Sequence, residues 1–565
     1  MHAEHGNVSL RFAVNYLSEE LFSKFDDGKK SPAKRAAAVR KFEEAERNCA
    51  LTNFKFQPTQ AGQPPAWLDH DHPLNGCHDD AAVFAKARSI VSRILGPFPG
   101  WEAVAECSDF GPGATTRLRR SEAHRSNKWS GKPHAGPFTS SPLASIYDAF
   151  PLLMQWVDSG SNIQMVVGNK LDWVPKNYKV DRTIAIEPDL SMFLQKGIGR
   201  LIRRRLKRVG QDLDNQETNG WCAAIGSITG ELATLDLSAA SDSVAYRLCE
   251  YLIRPDWFEA LVQLRSPVGF FADHDGSPRA VVYEKLSSMG NGYTFEVETL
   301  IFYALLRAVS ELVGESDHRL YVYGDDLIIP SGMAEVAMTY LKKAGFLVNP
   351  DKSYWTGPFR ESCGQHFFRG DDVTPFYVRE PVNRLDRLFL LHNNCWRWFN
   401  KHPGCASSED IRSFLTWLRS HAPEKWQKPR LTSSSVGDGA FIGNFDEVTP
   451  QSIGKSRKRA GWEGWRADVL SYRPRPGSAL SKERKRDRSR YVRHILGQDF
   501  DPDGSVLASL WSMRQVDPFD PYVSTGRHLR DWYRDLSRPS NTPYAERHWY
   551  VGVQVLPWTP EASWF

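Results

Sequence analysis

Several separate stretches of this chain carry residues that could do chemistry together. Tyr321 to Pro330 reads YVYGDDLIIP, where two apolar, β-prone runs flank Gly324, Asp325 and Asp326. Carboxylates held roughly 4 Å apart repel by about 4 kcal/mol at an effective dielectric near 20, so such a pair calls for a cation or for full solvation. A third acid, Asp236, stands in LATLDLSAASDS, with Asp242 following after a run of small residues. Taken alone, an Asp at a strand end serves as a cap as readily as a ligand. Lys176, Lys179 and Arg182 recur at every third residue of WVPKNYKVDRTIAIE. They could converge on one anion or simply decorate a surface strand. In KLSSMGNGYTFEVE, Ser288 and the loop Gly290-Asn291-Gly292 precede an electropositive helix start and allow a ligand close to the backbone. Lys352, in FLVNPDKS, adds an ammonium, with Lys342 and Lys343 not far upstream.

These groups need elements that aim them. The flanks of Gly324 read as a hairpin, because Gly and Asp accept turn geometry that Val and Ile do not. Leu235 and Leu237 alternate with Thr234 and Asp236. That is a half-buried strand with Asp236 on its polar face. A helix after the glycine loop runs to about Val313, with Val297, Ile301, Ala304, Leu305, Ala308 and Leu312 as its buried stripe. Leu190 to Val209 is a second helix. Its Arg200, Arg203, Arg204, Arg205, Lys207 and Arg208 form a basic surface, either solvated or set to neutralise phosphates beside a nucleic-acid channel. Ser31 to Arg47 reads as a helix with a solvated charged face. A second Gly-Asp-Asp, Gly370 to Asp372, reads as a solvated turn, because Pro375 breaks the strand on one arm.

Composition sets outer bounds. A chain of 565 residues has room for several subdomains, and 25% charged residues argue against bulk disorder. The eight cysteines lack CxxC spacing, which points to a reducing compartment rather than a disulfide framework or zinc ribbon. With no secretory signal and no apolar run of spanning length, a soluble intracellular protein without membrane association is expected. His70, Asp71, His72, Cys77 and His78 fit no zinc spacing and read as a loop. Basic residues outnumber acidic ones between Lys455 and Arg493, where Arg473-Pro474-Arg475-Pro476-Gly477 reads as flexible. Arg527 to Phe565 interleaves Arg with Trp and Tyr, as phosphate contact plus base stacking would need, or as a packed aromatic tail would.

The order of these signals is more specific than any one of them. VPKNYKVDRTIAIEP, DLSAASDS, SSMGNGYTFE, YGDD and ESCGQHFF followed by DVTPFYV resemble the motifs of the replicases of single-stranded RNA bacteriophages, the leviviruses of the Qβ type. The likeness runs from about Gly111 to Arg384 and is strongest between Trp173 and Val378. It implies an α+β right-hand polymerase fold of fingers, palm and thumb, with an antiparallel palm sheet backed by helices. The implied activity is RNA-dependent RNA polymerisation by two-metal nucleotidyl transfer. Asp236, Asp325 and Asp326 would hold two Mg²⁺, for which Mn²⁺ may substitute. Lys176, Lys179 and Arg182 would neutralise the triphosphate, and Lys352 is the candidate general acid for pyrophosphate. Asp242 and Asn291 could hydrogen-bond a ribose 2′-hydroxyl, and no aromatic follows Asp236 to strike it, so ribonucleotides are expected. Glu298 stands where many viral polymerases carry a further Asn. The rivals are a reverse transcriptase and a catalytically dead RNA-binding palm protein.

The expected organisation is an N-terminal region with outer fingers (1–170), fingers bearing the basic strand (171–231), palm with the first Asp (232–255), an insertion (256–282), palm with the glycine loop and YGDD hairpin (283–382), and thumb with a basic, aromatic C-terminal region (383–565). The resemblance further implies a single-stranded RNA template and nascent RNA as partners, nucleoside triphosphates as substrates, and primer-independent starts. Host partners would be elongation factors Tu and Ts and a ribosomal protein, in the cytoplasm of the bacterial host.

Overall fold

The computed structural model describes residues 2–28, 31–58, 65–68, 79–120, 122–123, 125–159, 163–272, 276–315, 319–402, 409–433, 437–448, 460–461, 464–474 and 547–556. The cluster from His70 to His78 lies outside them, as does most of the basic and aromatic C-terminal stretch.

The chain is a mixed α+β protein built around a four-stranded antiparallel sheet. Its order is Leu347–Val348, Leu232–Ser238, Asp326–Pro330 and Tyr321–Tyr323. One face carries Ala233, Leu235, Leu237, Leu327 and Ile329 into the main core. There they meet Val297, Ile301 and Leu305 of the helix Thr294–Leu312 and Leu341 of the helix Ala334–Lys343. The other face is not polar. Leu232 and Ile328 pack there on Cys222 of the helix Glu217–Thr229. The strand carrying Asp236 is therefore covered on both sides, not half-buried, and Asp236 is partly exposed only because the cover ends there. Leu312 departs from the expected stripe at 36% exposure, since the helix's last turn runs past the core.

A second four-stranded sheet has the order Asp181–Ile186, Asn169–Pro175, Val268–Ala272, Pro278–Val282. The basic hairpin and part of the stretch read as an insertion thus share one sheet, joined by the parallel pairs Asn169↔Gly269 and Lys170↔Phe270. The helix Pro32–Lys55 lies against this sheet through Phe42 and runs past the end expected for it. Its charges are not all solvated. Lys34 and Glu46 are buried, and Glu46 meets Lys285 at 3.0 Å, because one side of the helix faces protein.

The first helix, His2–Glu20, packs Ala13 and Leu17 on Phe368 and Trp398. Phe368 ends the hairpin Phe359–Ser362/Gln365–Phe368, and the second Gly-Asp-Asp follows it. Asp371 is exposed there, whereas Asp372 is ion-paired with Lys401, so only one of the two is a solvated turn residue. Towards the C-terminus the helices Leu385–Lys401 and Glu409–Ser420 pack together around Cys395, Leu415 and Leu418. Gly464–Pro474 then pairs antiparallel with Arg547–Leu556. Arg473 and Pro474, read as the start of a flexible stretch, close this ladder opposite His548 and Arg547.

Candidate active site

The strand pairing sets Asp236 directly opposite Asp326. Paired residues project from the same face, so the two carboxylates share one end of the sheet. Gly324 and Asp325 form the two-residue turn between Tyr323 and Asp326, and Gly324 has φ 59°. Glycine first with positive φ is the type II′ arrangement. The turn is docked on the helix Thr294–Leu312, where the Gly324 N–H donates to Thr299 Oγ1 at 3.0 Å. A Cβ on Gly324 would lie 2.4 Å from Phe295 Cε2.

The acids crowd one another. Partial burial pushes Asp326 up to about 6, against the Cys363 N–H at 3.0 Å, and the charges of Asp325 and Asp236 add to the rise. Asp236 is raised as well, first by burial and also by Asp325. A 2.9 Å bond from Asn349 Nδ2 and the charges of Lys352 and Lys176 oppose that rise. Among the described residues, no three His, Cys, Asp or Glu side chains close into a metal cage of their own. A hard cation that keeps water and substrate oxygens in its shell needs fewer protein ligands than that, and carboxylates are the donors it prefers.

On the basic side, Lys176 and Arg182 stand close enough for their charges to act on one another. Partial desolvation and the charges of Arg182, Lys41 and Lys352 lower the Lys176 ammonium, while Asp236 acts the other way. Lys179 sits on the exposed hairpin turn, its Nζ 5.4 Å from the centre of the Tyr178 ring. Lys352 ends a short 3₁₀ turn, Pro350–Lys352, capped by Asn349, and its charge acts on both Asp236 and Glu361.

The residues expected to read the sugar are partly engaged. Asp242 Oδ1 accepts a 2.8 Å bond from the fully buried Lys285. Asn291 Oδ1 accepts from the Tyr293 N–H at 3.0 Å, while its Nδ2 is buried with no partner. Ser288 is buried, and its carbonyl accepts from the Asn291 N–H and from Thr294 Oγ1, both at 3.0 Å. Gly290, with φ 116°, packs so closely that a Cβ would fall 2.2 Å from the Ala185 carbonyl oxygen. Its visible task is to seat the loop on the strand Asp181–Ile186.

Four residues of the site escaped the sequence reading. Asn349 holds Asp236, and its place before Pro350-Asp351 is a legible capping signal. Half-buried Glu361 is pushed up to about 7 by burial, with Asp236 and Asp326 adding to the rise and Lys352 opposing it. Ser353 Oγ lies 3.1 Å from the Asp236 amide nitrogen. Lys285 gave no signal, since a buried lysine looks like any other in sequence.

The sequence profile of the family described as "RNA replicase, beta-chain" matches residues 3–458. The RNA-directed RNA polymerase subunit beta of Escherichia virus Qbeta is 39% identical over 80% of this chain and 72% of its own length. The same subunit of Qbeta virus strain MX1 is 34% identical over 98% of this chain and 86% of its own. Among solved structures, the RNA-dependent RNA polymerase of a human picorbirnavirus is similar at 16% identity over 44% of this chain and 55% of that one. Its TM-score of 0.31 is too slight to define a fold.

Proposed function

This chain belongs to the RNA replicase beta-chain family and is an RNA-directed RNA polymerase, and from that premise we propose that Asp236, Asp325 and Asp326 are the carboxylates at which nucleotidyl transfer takes place. The observation that carries this reading is the register that opposes Asp236 to Asp326, with Asp325 in the turn beside them.

Two divalent ions, Mg²⁺ or Mn²⁺, would activate the attacking 3′-hydroxyl and stabilise the leaving pyrophosphate when bound. The chain's own residues do the rest. The three acids fix the ions' place, and Asn349 keeps Asp236 turned towards it. Lys176 and Arg182 contact the triphosphate oxygens, and Lys179 extends that charge along the hairpin. Lys352 donates a proton to the departing pyrophosphate. The unpartnered Asn291 Nδ2 supplies a buried donor for a ribose hydroxyl, the kind of group whose loss from a substrate is strongly rejected. Asp242, held by Lys285, is the second polar group of this sugar reading. The glycine loop of Ser288 and Gly290 supports it.

Single-stranded RNA, nascent RNA and nucleoside triphosphates are the ligands of this reading, and synthesis starts without a primer. Its setting is the bacterial cytoplasm with host elongation factors Tu and Ts and a ribosomal protein as partners. No helix among the described residues is long and apolar enough to cross a membrane. The test is Mg²⁺-dependent extension on an RNA template. Asp325→Ala should lower the rate on the order of a thousandfold while leaving RNA binding intact. Extension at the unaltered rate would remove the assignment, and preference for deoxyribonucleotides would remove the sugar reading.

A further inference from the structure

Asp242 and the glycine loop come from separate stretches of chain, and a short antiparallel bridge joins the two. The Leu286 N–H donates to the Val244 carbonyl at 2.8 Å, and the Tyr246 N–H donates to the Glu284 carbonyl at 3.0 Å. Ala245 pairs with Lys285 between them. Lys285 therefore stands where the segment after Asp242 meets the segment that leads into Ser288. Its fully buried ammonium donates to Asp242 Oδ1 at 2.8 Å. Among the described residues, Asp242 Oδ2 has no hydrogen-bond partner, and its side chain keeps 17% exposure.

The helix Pro32–Lys55, far away in sequence, closes on this bridge from one side. Glu46 Oε1 ion-pairs with Lys285 at 3.0 Å, and its Oε2 accepts from the Glu284 N–H at 2.8 Å. The Cys49 thiol donates to the Asp242 carbonyl at 3.4 Å. Asn53 Oδ1 accepts from the Arg247 N–H at 2.9 Å, and its Nδ2 donates to the Glu284 carbonyl at 2.7 Å. The Phe42 ring lies under the Lys285 ammonium, 4.4 Å from it. One helix thus grips both arms of the bridge and the cation between them.

We propose that Lys285, seated by Glu46, is a positioning residue for sugar selection: it holds Asp242 by Oδ1 so that Oδ2 accepts a hydrogen bond from the 2′-hydroxyl of the incoming ribonucleotide. The inference rests on the sugar reading given above. A buried ion pair adds little net stability over apolar side chains of the same volume, so its return lies in what it orients. A carboxylate anchored through one oxygen presents the other in a fixed direction, and a hydroxyl meets it without the cost of ordering it first.

The experiment compares kcat/KM for a ribonucleoside triphosphate with that for its 2′-deoxy analogue during extension of a primed RNA template by the full chain. Lys285→Met alone leaves two buried acids uncompensated, so the variant of choice is Lys285→Met with Glu46→Gln, which removes the cation and one acid together. Its thermal stability should recover towards that of the parent, while the ribo-to-deoxyribo ratio falls by at least about tenfold. A folded double variant with the parent's ratio overturns the proposal and leaves Lys285 a packing residue. Glu46→Gln alone leaves Lys285 one carboxylate short and should lower the ratio about threefold. It decides the matter if the double variant does not fold, and an unchanged ratio there also overturns the proposal. Asp242→Ala separates the two levels of the argument. If it lowers the ratio and the Lys285 and Glu46 variants do not, the positioning role alone fails. If it leaves the ratio unchanged, the sugar reading fails and takes this inference with it.

Discussion

Ser241 donates a 2.8 Å hydrogen bond to Glu298, tying the turn that follows Asp236 to the helix on which the Gly324 turn is docked. Both acid-bearing segments are thereby fixed to one helix. The bond has an acid–base consequence, because Glu298 is 2% exposed and its carboxyl is pushed up to about 8, first by burial and also by the charges of Asp325 and Asp242.

An acid whose pKa is higher folded than unfolded binds its proton more tightly in the folded state, so stability falls as pH rises between the two values. For Glu298 the window runs from 4.5 to about 8. Glu298→Gln should match the parent near pH 4.5 and exceed its stability increasingly above that, reaching about 5 kcal/mol past pH 8. Urea unfolding at several pH values checks this, and a gap that does not change with pH would refute it.

Replacing Gly324 should do more harm than its conformation alone explains. Gly324→Ala meets Phe295 as well as an unfavourable φ of 59°. Gly357→Ala has a similar φ of 66° and open space. The second change should cost about 1 kcal/mol. Gly324→Ala should cost more and abolish extension by moving Asp325. Equal losses in denaturant midpoint and retained activity would show that the turn has room to shift.

Asn349→Ala removes the bond to Asp236 without touching a carboxylate. Loss of such a supporting contact typically weakens metal affinity by about 10- to 100-fold. The Mg²⁺ concentration for half-maximal extension should rise accordingly, with RNA affinity unchanged. An unmoved Mg²⁺ requirement would mean that Asp236 needs no such support.

Lys285 lies fully buried between Asp242 at 2.8 Å and Glu46 at 3.0 Å. Burial opposes its charge, but the two carboxylates outweigh that and hold its pKa up. Lys285→Gln leaves uncompensated acids and should cost about 3–5 kcal/mol. Adding Glu46→Gln should recover part of the loss. Thermal and urea unfolding of the single and double variants decide it.

The local features of the site were legible in sequence because they are local. The Gly324 turn has its glycine where the backbone needs it, and the stripe from Val297 to Ala308 follows helical spacing into the core. What sequence spacing could not convey was cover from remote segments. Nothing near Asp236 announces that residues 217–229 close over its strand, or that Glu46 crosses to reach Lys285. Those contacts depend on tertiary packing, and the same packing turned Lys34 and Glu46 from expected surface charges into buried ones. Asn349 was readable as a turn cap, but its grip on Asp236 joins two strands that are remote in the chain.

The pleat of the central sheet gives the acidic site an unusual kind of robustness. Sliding the Asp236 strand by one residue would send that carboxylate to the opposite face, into the hydrocarbon packed on the helix Thr294–Leu312. Intermediate placements do not exist, because side chains alternate in whole steps. Such a site cannot drift by small backbone adjustments over evolutionary time: it is inherited intact or lost in a single event, and diversification must come from the loops and clefts around it.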